Sequence, residues 1–321
     1  MDTLYILGNG FDIAHGISTN YWNFREYLEE RDWEFLYAFE KLYNIEPLDE
    51  TEYGYSQEAQ EKWNAAVKKT LWSEFENEMG NPSVQSMLDF SSSVLDDLDL
   101  ETGNIGIRNT IDEYWKSEYG FINKLQDYVK DWISEVDISG VKPKCKQLLY
   151  NNESYYFNFN YTEILEKVYG IDRVLHIHGS INEDVNMPPF MGHCNKSEIN
   201  MHIEAYRAAD EAFDEGGASI EEAIADYLQA IYKDTGSYIA MNHGFFEKLK
   251  TVKNIIVIGW SAGQVDVPYL EMICDSVDKE AKWTIYYYDK KAYDGLQIAF
   301  QNSNIINNFE TEFLNSKEFW D

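Results

Sequence analysis

Short apolar runs and longer helical patterns alternate along this chain. Five of the runs end at or beside a glycine or a polar residue, which is typical of buried strands that lead into turns. The predicted strands are Leu4–Leu7, Tyr155–Phe159, Arg173–His178, Asn254–Trp260 and Trp283–Asp289. Apolar residues at helical spacing predict helices at Tyr21–Leu42, Glu58–Met79, Ser83–Leu98, Ile107–Val136 and Thr162–Tyr169, across most of 196–250, and at 266–277 and 292–302.

This alternation predicts the fold class. Strands separated by helices form parallel sheets, because each helix carries the chain back across a face of the sheet. We therefore predict an α/β fold with a Rossmann-like parallel sheet, in a single domain that spans residues 1–321. Two helical blocks, at about 45–150 and 196–250, interrupt the strands as insertions. The first block begins with a polar, acidic loop at 45–56.

The acidic composition of the chain argues against some kinds of binding partner. The 26 Lys and Arg residues against 57 Asp and Glu residues give a net charge of −31, which disfavours direct binding to nucleic acid or to an anionic membrane. The first residues, "MDTLYILGNGF", lack the basic start of a signal peptide, and no apolar run is long enough to span a bilayer. We expect a soluble, cytoplasmic protein with no membrane partner.

The cysteines argue against a structural metal site. Cys145, Cys194 and Cys274 are far apart and form no Cys-x-x-Cys pair. Structural zinc sites normally contain such pairs, so no metal is expected. A sparse, odd number of cysteines also fits a reducing compartment.

The first predicted strand runs into Gly8-Asn9-Gly10, a turn that precedes a helix. Glycines let backbone N–H groups approach a pyrophosphate, and the start of a helix favours negative charge. The third glycine of the dinucleotide-binding pattern is absent, because Ile13 stands in its place. The turn therefore predicts either nucleotide binding or a strand–helix turn that serves packing alone.

A second turn, Gly259-Trp260-Ser261-Ala262-Gly263, matches the Gly-x-Ser-x-Gly pattern of α/β-hydrolases. Those enzymes place their catalytic histidine after the serine in the chain. The last histidine here is His243, which precedes Ser261, so the hydrolase order is not met. The alternative is a second strand–helix turn at the same end of the sheet, and Ser261 is not expected to be a nucleophile.

The stretch "VLHIHG" places two histidines at the end of a predicted strand. Strand periodicity puts His176 and His178 on one face, where they could form a metal pair, but the sequence nominates no further ligand. The simpler interpretation of His176 is a buried histidine that serves packing or hydrogen bonding. His178 precedes Gly179 at the strand end, where open α/β sheets place ligand chemistry.

Asn160 follows another predicted strand and allows two interpretations. Asn160 and Glu163 have the spacing of a capping box, so Asn160 can cap the helix that follows. It can also be an uncharged amide at a strand end, beside His178. We expect Asn160 and His178 to line one pocket with Gly8–Gly10 and Gly259–Ser261.

Three stretches together resemble the AbiH family of bacteriophage abortive-infection proteins. They are "LYILGNGFDIAHGISTNYWNF", "FNFNYTEILE…VLHIHGSIN" and "IIVIGWSAGQVDVPYLEMI", in this order. They cover about a fifth of the chain and bracket nearly all of it. The helical blocks resemble the family only in general character.

AbiH proteins resemble in turn the sirtuin-like NAD-binding fold, which implies roles for individual residues. Asn160 would position water or the nicotinamide ribose, and His178 would be the catalytic histidine. The resemblance implies nucleotide binding by Gly8, Asn9, Gly10, Phe11, Asp12, Gly259, Ser261 and Asp266. Arg25 only loosely matches a sirtuin Phe-Arg pair. The sirtuin zinc module is absent, which argues against protein deacylation, and Thr162 stands where sirtuins have an aspartate.

The resemblance implies a bacterial anti-phage protein that binds NAD, as a substrate, or a related nucleotide, and hydrolyses the nicotinamide–ribose bond. Two alternatives remain open. One is a nucleotide-binding sensor without catalysis, and the other is an interaction protein whose helical blocks bind a partner. Partners in either case include a second copy of the chain or another protein of a defence system.

Overall fold

The structure of the protein, a computed structural model, describes residues 1–48, 56–87, 104–182, 185, 187–261, 263–303 and 305–320. Within these residues six strands form one sheet, and every neighbouring pair is parallel. The strands are β1 (Thr3–Leu7), β2 (Tyr155–Asn158), β3 (Leu175–His176), β4 (Asn254–Ile258), β5 (Lys282–Tyr287) and β6 (Glu310–Asn315). The predicted α/β fold with a parallel sheet is confirmed.

The order of the strands across the sheet is β3-β2-β1-β4-β5-β6. The chain builds outward from β1 on one side and from β4 on the other, so the direction of winding reverses between these two strands. Doubly wound nucleotide-binding sheets have this order, and open parallel sheets bind ligands at the reversal, outside the carboxyl ends of the strands. Leu7 pairs with Ile258, so β1 and β4 end at the same level.

The central strands are buried on both faces of the sheet. Leu4 and Ile6 of β1 belong to one hydrophobic cluster, whereas Tyr5 and Leu7 belong to another on the opposite face. A strand covered by helices on both faces needs apolar side chains at every position. This is why β1 was recognisable as a continuous apolar run.

Sixteen α-helices lie within the described residues. They are α1 (Asn9–Ala14), α2 (Tyr21–Arg31), α3 (Trp33–Lys41), α4 (Gln57–Val67), α5 (Phe75–Glu78), α6 (Asn104–Tyr119), α7 (Leu125–Ser134), α8 (Ile164–Tyr169), α9 (Lys196–Glu211), α10 (Glu215–Ala230), α11 (Thr235–Met241), α12 (His243–Phe246), α13 (Val267–Ser276), α14 (Lys290–Asn302), α15 (Ile305–Asn308) and α16 (Lys317–Trp320). A π-helix covers Lys68–Trp72, and 3₁₀ helices cover Gly120–Lys124, Lys146–Leu148, Glu247–Thr251 and Gln264–Asp266. None of the helices in this part of the chain is long and apolar enough to cross a membrane.

Contacts divide the chain into two units. The sheet unit contains Met1–Asn20, Val129–Phe190 and Asp234–Asp321, and so includes all six strands. The helical unit contains Tyr21–Tyr128 and Met191–Lys233. The description of one domain with insertions at about 45–150 and 196–250 stays a prediction.

Several helices differ from the sequence prediction. The pattern over Tyr21–Leu42 forms two helices, because Asp32 interrupts it and its side chain accepts a hydrogen bond from the Phe35 N–H at 3.0 Å. The pattern over Ile107–Val136 likewise forms α6, a 3₁₀ turn and α7. The predicted helix at Ser83–Leu98 lies outside the described residues from position 88 onward, and so does 49–55 of the predicted acidic loop.

Two strands also differ from the prediction. Strand β3 ends at His176 instead of His178, because the chain turns there, with Gly179 at a φ of +82°. Strand β6 was missed. Its sequence, Glu-Thr-Glu-Phe-Leu-Asn, is too polar to be recognised as a buried strand. An edge strand exposes one side of its backbone, and charged side chains there discourage pairing with another chain.

Candidate functional site

The two glycine turns meet at the carboxyl ends of β1 and β4. The Gly10 N–H donates to the Gly259 carbonyl oxygen at 2.7 Å, and the Gly8 N–H donates to that of Ile258 at 3.1 Å. A Cβ atom on Gly8 would lie 2.5 Å from the Trp260 Cα, and one on Gly10 would lie 2.8 Å from the Gly259 Cα. The glycines of the first turn are therefore required by the backbone of the second turn.

This contact occupies donors that were expected to bind phosphate. The Gly8 N–H bonds to the last residue of β4, the Gly10 N–H bonds to the second turn, and the Phe11 N–H donates to the Gly8 carbonyl oxygen at 2.8 Å. The side-chain amide of Asn9 is also engaged. Its Nδ2 donates to the Thr19 carbonyl oxygen at 2.8 Å, and its Oδ1 accepts from the Thr19 hydroxyl at 2.7 Å. Phosphate binding by these residues stays a prediction. Glycine is needed at positions 8 and 10 because the backbone of Gly259 and Trp260 lies close to them.

Asn160 connects the end of β2 to the first glycine turn. Its Nδ2 donates to the Gly8 carbonyl oxygen at 3.1 Å, and its own N–H donates to the Asn158 side chain. Helix α8 begins at Ile164, with Glu163 at its N-cap position and no side-chain capping bond. The interpretation of Asn160 as a helix cap is therefore wrong, because its side-chain amide bonds to the turn after β1 and not to the helix.

His178 lies in the turn after β3 and is only 3% exposed. Its Nε2 atom is 3.3 Å from Oδ1 of Asp266, although the angles are not those of a hydrogen bond. Among the described residues, neither atom has another partner. The other oxygen of Asp266 accepts a hydrogen bond from the Trp260 indole at 2.7 Å. The rings of Phe159 and Tyr269 lie 5.2 and 5.7 Å from the His178 ring. A buried histidine–carboxylate pair thus lies among aromatic side chains.

The chain segment Met187–Phe190 holds the His178 turn. The Phe190 N–H donates to the His178 carbonyl oxygen, and the Ser180 N–H donates to that of Met187, both at 3.0 Å. A Cβ atom on Gly179 would lie 2.0 Å from the Pro188 carbonyl oxygen. Glycine is therefore needed at 179 both for its positive φ and for this contact.

His176 has different partners from His178. Its Nδ1 is 2.8 Å from the Asn160 carbonyl oxygen, and its Nε2 is 2.8 Å from Glu166 of α8. The expectation that His176 is buried and hydrogen-bonded is confirmed. The expectation that His176 and His178 lie on the same face of one strand is wrong, because β3 ends at His176. His178 instead packs with Phe159 and Tyr269, whose hydrophobic cluster is distinct from that of α8.

Asp12 and Thr162 form a contact that the sequence did not reveal. The Thr162 hydroxyl donates to Oδ2 of Asp12 at 2.7 Å, while Oδ1 is buried and has no partner among the residues that the structure describes. Burial raises the pKa of Asp12 to about 7, against the opposing effects of the Thr162 hydrogen bond and the charge of His176. Thr162, noted as the substitute for an aspartate, therefore contacts a carboxylate that another element supplies. Only a long-range contact could have indicated this.

The remaining candidates are Ser261 and Arg25. Ser261 is exposed, and none of the six histidines makes a hydrogen bond to it within the described residues. Arg25 belongs to the helical unit and is buried, with hydrogen bonds of 2.7 and 3.1 Å to Glu40. Its guanidinium is therefore committed to an ion pair. Over the described positions, no group of three or more His, Cys, Asp or Glu side chains could hold a metal ion.

Comparison with known proteins gives one match. The model of a family described as "Bacteriophage abortive infection AbiH" matches residues 4–287. No curated protein and no solved structure matches the chain. The matched range runs from the second residue of β1 to the end of β5 and includes every residue of the site described above.

Proposed function

Because the chain belongs to the bacteriophage abortive infection AbiH family, it has an anti-phage role, and we propose that it binds and hydrolyses NAD or a related nucleotide. His178 and Asn160 are proposed to carry the reaction. The ligand is a small molecule and neither nucleic acid nor a membrane, in keeping with the net charge of −31. No metal takes part in the proposal.

One observation carries the proposal. A buried histidine faces a carboxylate oxygen at 3.3 Å, beside the strand ends where doubly wound sheets bind nucleotides. Asn160 ties the end of β2 to the turn after β1, and Trp260 belongs to the turn after β4. The proposal treats these residues, which follow the ends of β1, β2, β3 and β4, as parts of one site.

The proposed chemistry uses these groups without a cofactor other than the substrate. The bond between nicotinamide and ribose breaks, and its electron pair leaves with nicotinamide. A water oxygen bonds to the ribose carbon, and the proton released from water passes to the neutral imidazole of His178. Asn160 donates through Nδ2 to Gly8, which leaves its Oδ1 to accept a hydrogen bond from water or a ribose hydroxyl.

The direct test is nicotinamide release from NAD by the purified protein. His178→Asn should lower the rate by at least about 100-fold, because general base catalysis contributes that much or more. Asn160→Ala should also lower the rate, because the amide that orients water or the ribose is lost. Asn160→Ala should also cost about 1 kcal/mol of stability through its lost hydrogen bond. His243→Asn is the matched control, because His243 is exposed and its ion pair within the described residues is with Glu247, away from the site.

The same variants should be tested in cells infected by phage. We expect His178→Asn to lose protection and to keep NAD at its uninfected level, while His243→Asn behaves as wild type. An activity that is latent in the purified protein would appear in this experiment. Full protection by a folded His178→Asn variant would exclude hydrolysis through His178.

A nucleotide-binding sensor without catalysis is the second candidate function. It is favoured by the 3% exposure of His178, which keeps the imidazole away from water, and by Thr162, which stands where sirtuins have an aspartate. A sensor would bind labelled NAD and return it intact, with no release of nicotinamide before or after infection. Protection would then depend on binding and would survive His178→Asn.

A further inference from the structure

We propose that Asp266 is a positioning residue for His178. Its carboxylate holds the proton of the neutral imidazole on Nε2 and so leaves Nδ1 as the nitrogen that takes a proton. The kinetic consequence rests on the proposed function. The tautomer itself can be measured without any substrate.

The two groups are placed for this role. Nε2 of His178 and Oδ1 of Asp266 are 3.3 Å apart, and neither atom has a hydrogen-bond partner elsewhere in the described chain. The side chains of His178 and Asp266 are 4% and 12% exposed, and the two facing atoms are themselves buried, so water does not compete for them. A buried carboxylate is an acceptor only, and a small rotation of the ring would direct the Nε2 proton toward it.

Trp260 holds the carboxylate in place. Its indole N–H donates to Oδ2 of Asp266 at 2.7 Å, and its ring stacks on Phe159 with 2° between the planes. Trp260 belongs to the turn after β4, and Asp266 ends the 3₁₀ helix before α13. One oxygen of Asp266 is therefore used by Trp260, and the other is left for His178.

The second nitrogen of the ring is not engaged. Nδ1 of His178 makes no hydrogen bond within the described part of the chain. A neutral imidazole has one donor nitrogen and one acceptor nitrogen, and a partner at one nitrogen decides which is which. Asp266 at Nε2 therefore assigns the basic lone pair to Nδ1.

Asp266→Asn should reverse this assignment, because Trp260 decides how the new amide is oriented. The indole N–H needs an acceptor, so the amide oxygen replaces Oδ2 and the NH₂ group replaces Oδ1. An NH₂ group donates, and it stabilises the tautomer with the lone pair on Nε2 and the proton on Nδ1. The shape of the side chain is preserved while the basic nitrogen changes.

The spectroscopic experiment uses nitrogen NMR of the full chain labelled at its histidines, at a pH where His178 is neutral. We expect the Nε2–H form in the wild type and the Nδ1–H form in Asp266→Asn. Glu221→Gln is the matched control. It replaces the carboxylate 2.6 Å from Nδ1 of His202 and should leave the His178 signals unchanged. A wild type in the Nδ1–H form would overturn the proposal, even if no variant folds.

The kinetic experiment separates positioning from a structural role. Asp266→Asn should lower kcat by about 10²- to 10⁴-fold with little change in KM, and Glu221→Gln should leave both unchanged. Adding Trp260→Phe to Asp266→Asn frees the amide to turn its oxygen toward His178, so part of kcat should return. If Asp266→Asn acted only by disturbing packing, the further substitution Trp260→Phe would not restore kcat. A double variant with neither the tautomer nor kcat recovered would contradict the proposal.

The two experiments distinguish the failure of this inference from that of the proposed function. If the tautomer changes as expected and no form of the protein cleaves NAD, the proposal of hydrolysis is wrong and the pairing of Asp266 with His178 is supported. If the wild type cleaves NAD and Asp266→Asn cleaves it equally well, the positioning role of Asp266 is wrong and the proposal of hydrolysis is supported.

Discussion

Asp12 shows how burial governs a single titratable group. One of its carboxylate oxygens accepts the Thr162 hydroxyl, the other has no partner, and burial raises its pKa from 3.8 to about 7. Between these two values the folded protein holds a proton that the unfolded chain has released. Stability therefore falls as pH rises from about 4 to about 7, and the loss is complete above that window.

Asp12→Asn should remove this dependence, because the amide keeps the shape and an acceptor for Thr162 without an ionisable proton. Relative to wild type, the variant should gain free energy of unfolding as pH rises, reaching on the order of 4 kcal/mol at pH 8. Urea unfolding at pH 4.5, 6 and 8 measures the difference. Asp131→Asn, at an exposed helix position, is the control. A difference that does not change with pH would contradict the expected pKa.

The glycine turns after β1 and β4 act as one element. Gly259 has a φ of +70°, and a Cβ atom there would lie 2.2 Å from the Phe11 nitrogen. Since the contacting atoms are backbone, they cannot move aside as a flexible side chain would. The packing of the two turns therefore requires glycine whether or not a nucleotide binds.

Gly259→Ala should lower stability by more than the 1–2 kcal/mol of a left-handed alanine alone, because the clash adds to the conformational cost. Gly295→Ala is the matched control and should change the free energy of unfolding in the opposite direction. Gly295 is exposed within α14 with no atom near its added Cβ, so alanine should raise stability by about 0.5–1 kcal/mol. Thermal unfolding of both variants without ligand measures this. Equal, small effects would mean that the turns are not packed as described.

The charge of the whole chain has a consequence for its stability. The net charge of −31 places many carboxylates near one another, and their repulsion opposes the compact state. Raising ionic strength from about 0.01 M to about 1 M shortens the Debye length from about 30 Å to about 3 Å. Salt should therefore screen this repulsion.

We expect Tm to rise by several degrees over that range of sodium chloride at pH 8. The same series near pH 4.5 is the control, because many carboxylates are then protonated and the gain should be smaller. Differential scanning calorimetry at both pH values measures it. A Tm that falls with salt at pH 8 would show that attractive surface ion pairs, such as Lys282–Glu310, outweigh the overall repulsion.

Local pattern was enough for the fold class and for the positions of the central strands. Strands β1 and β4 are covered on both faces, so every residue in them is selected for burial and the pattern is continuous. The motifs around Gly8, Asn160, His178 and Gly259 also indicated the family correctly, because turns at strand ends depend on a few neighbouring residues. Strand β6 was missed, since an edge strand has no such requirement.

The tertiary structure decided what those motifs do. Gly8 and Gly10 gave the pattern of a phosphate-binding turn, but the atoms that approach them belong to Gly259 and Trp260, about 250 positions later in the chain. His176 and His178 are separated by one residue, yet they face Glu166 and Asp266 respectively. Hydrogen bonds and burial depend on which segments meet in space, and strand order sets those meetings. Residue spacing along the chain carries no record of that order.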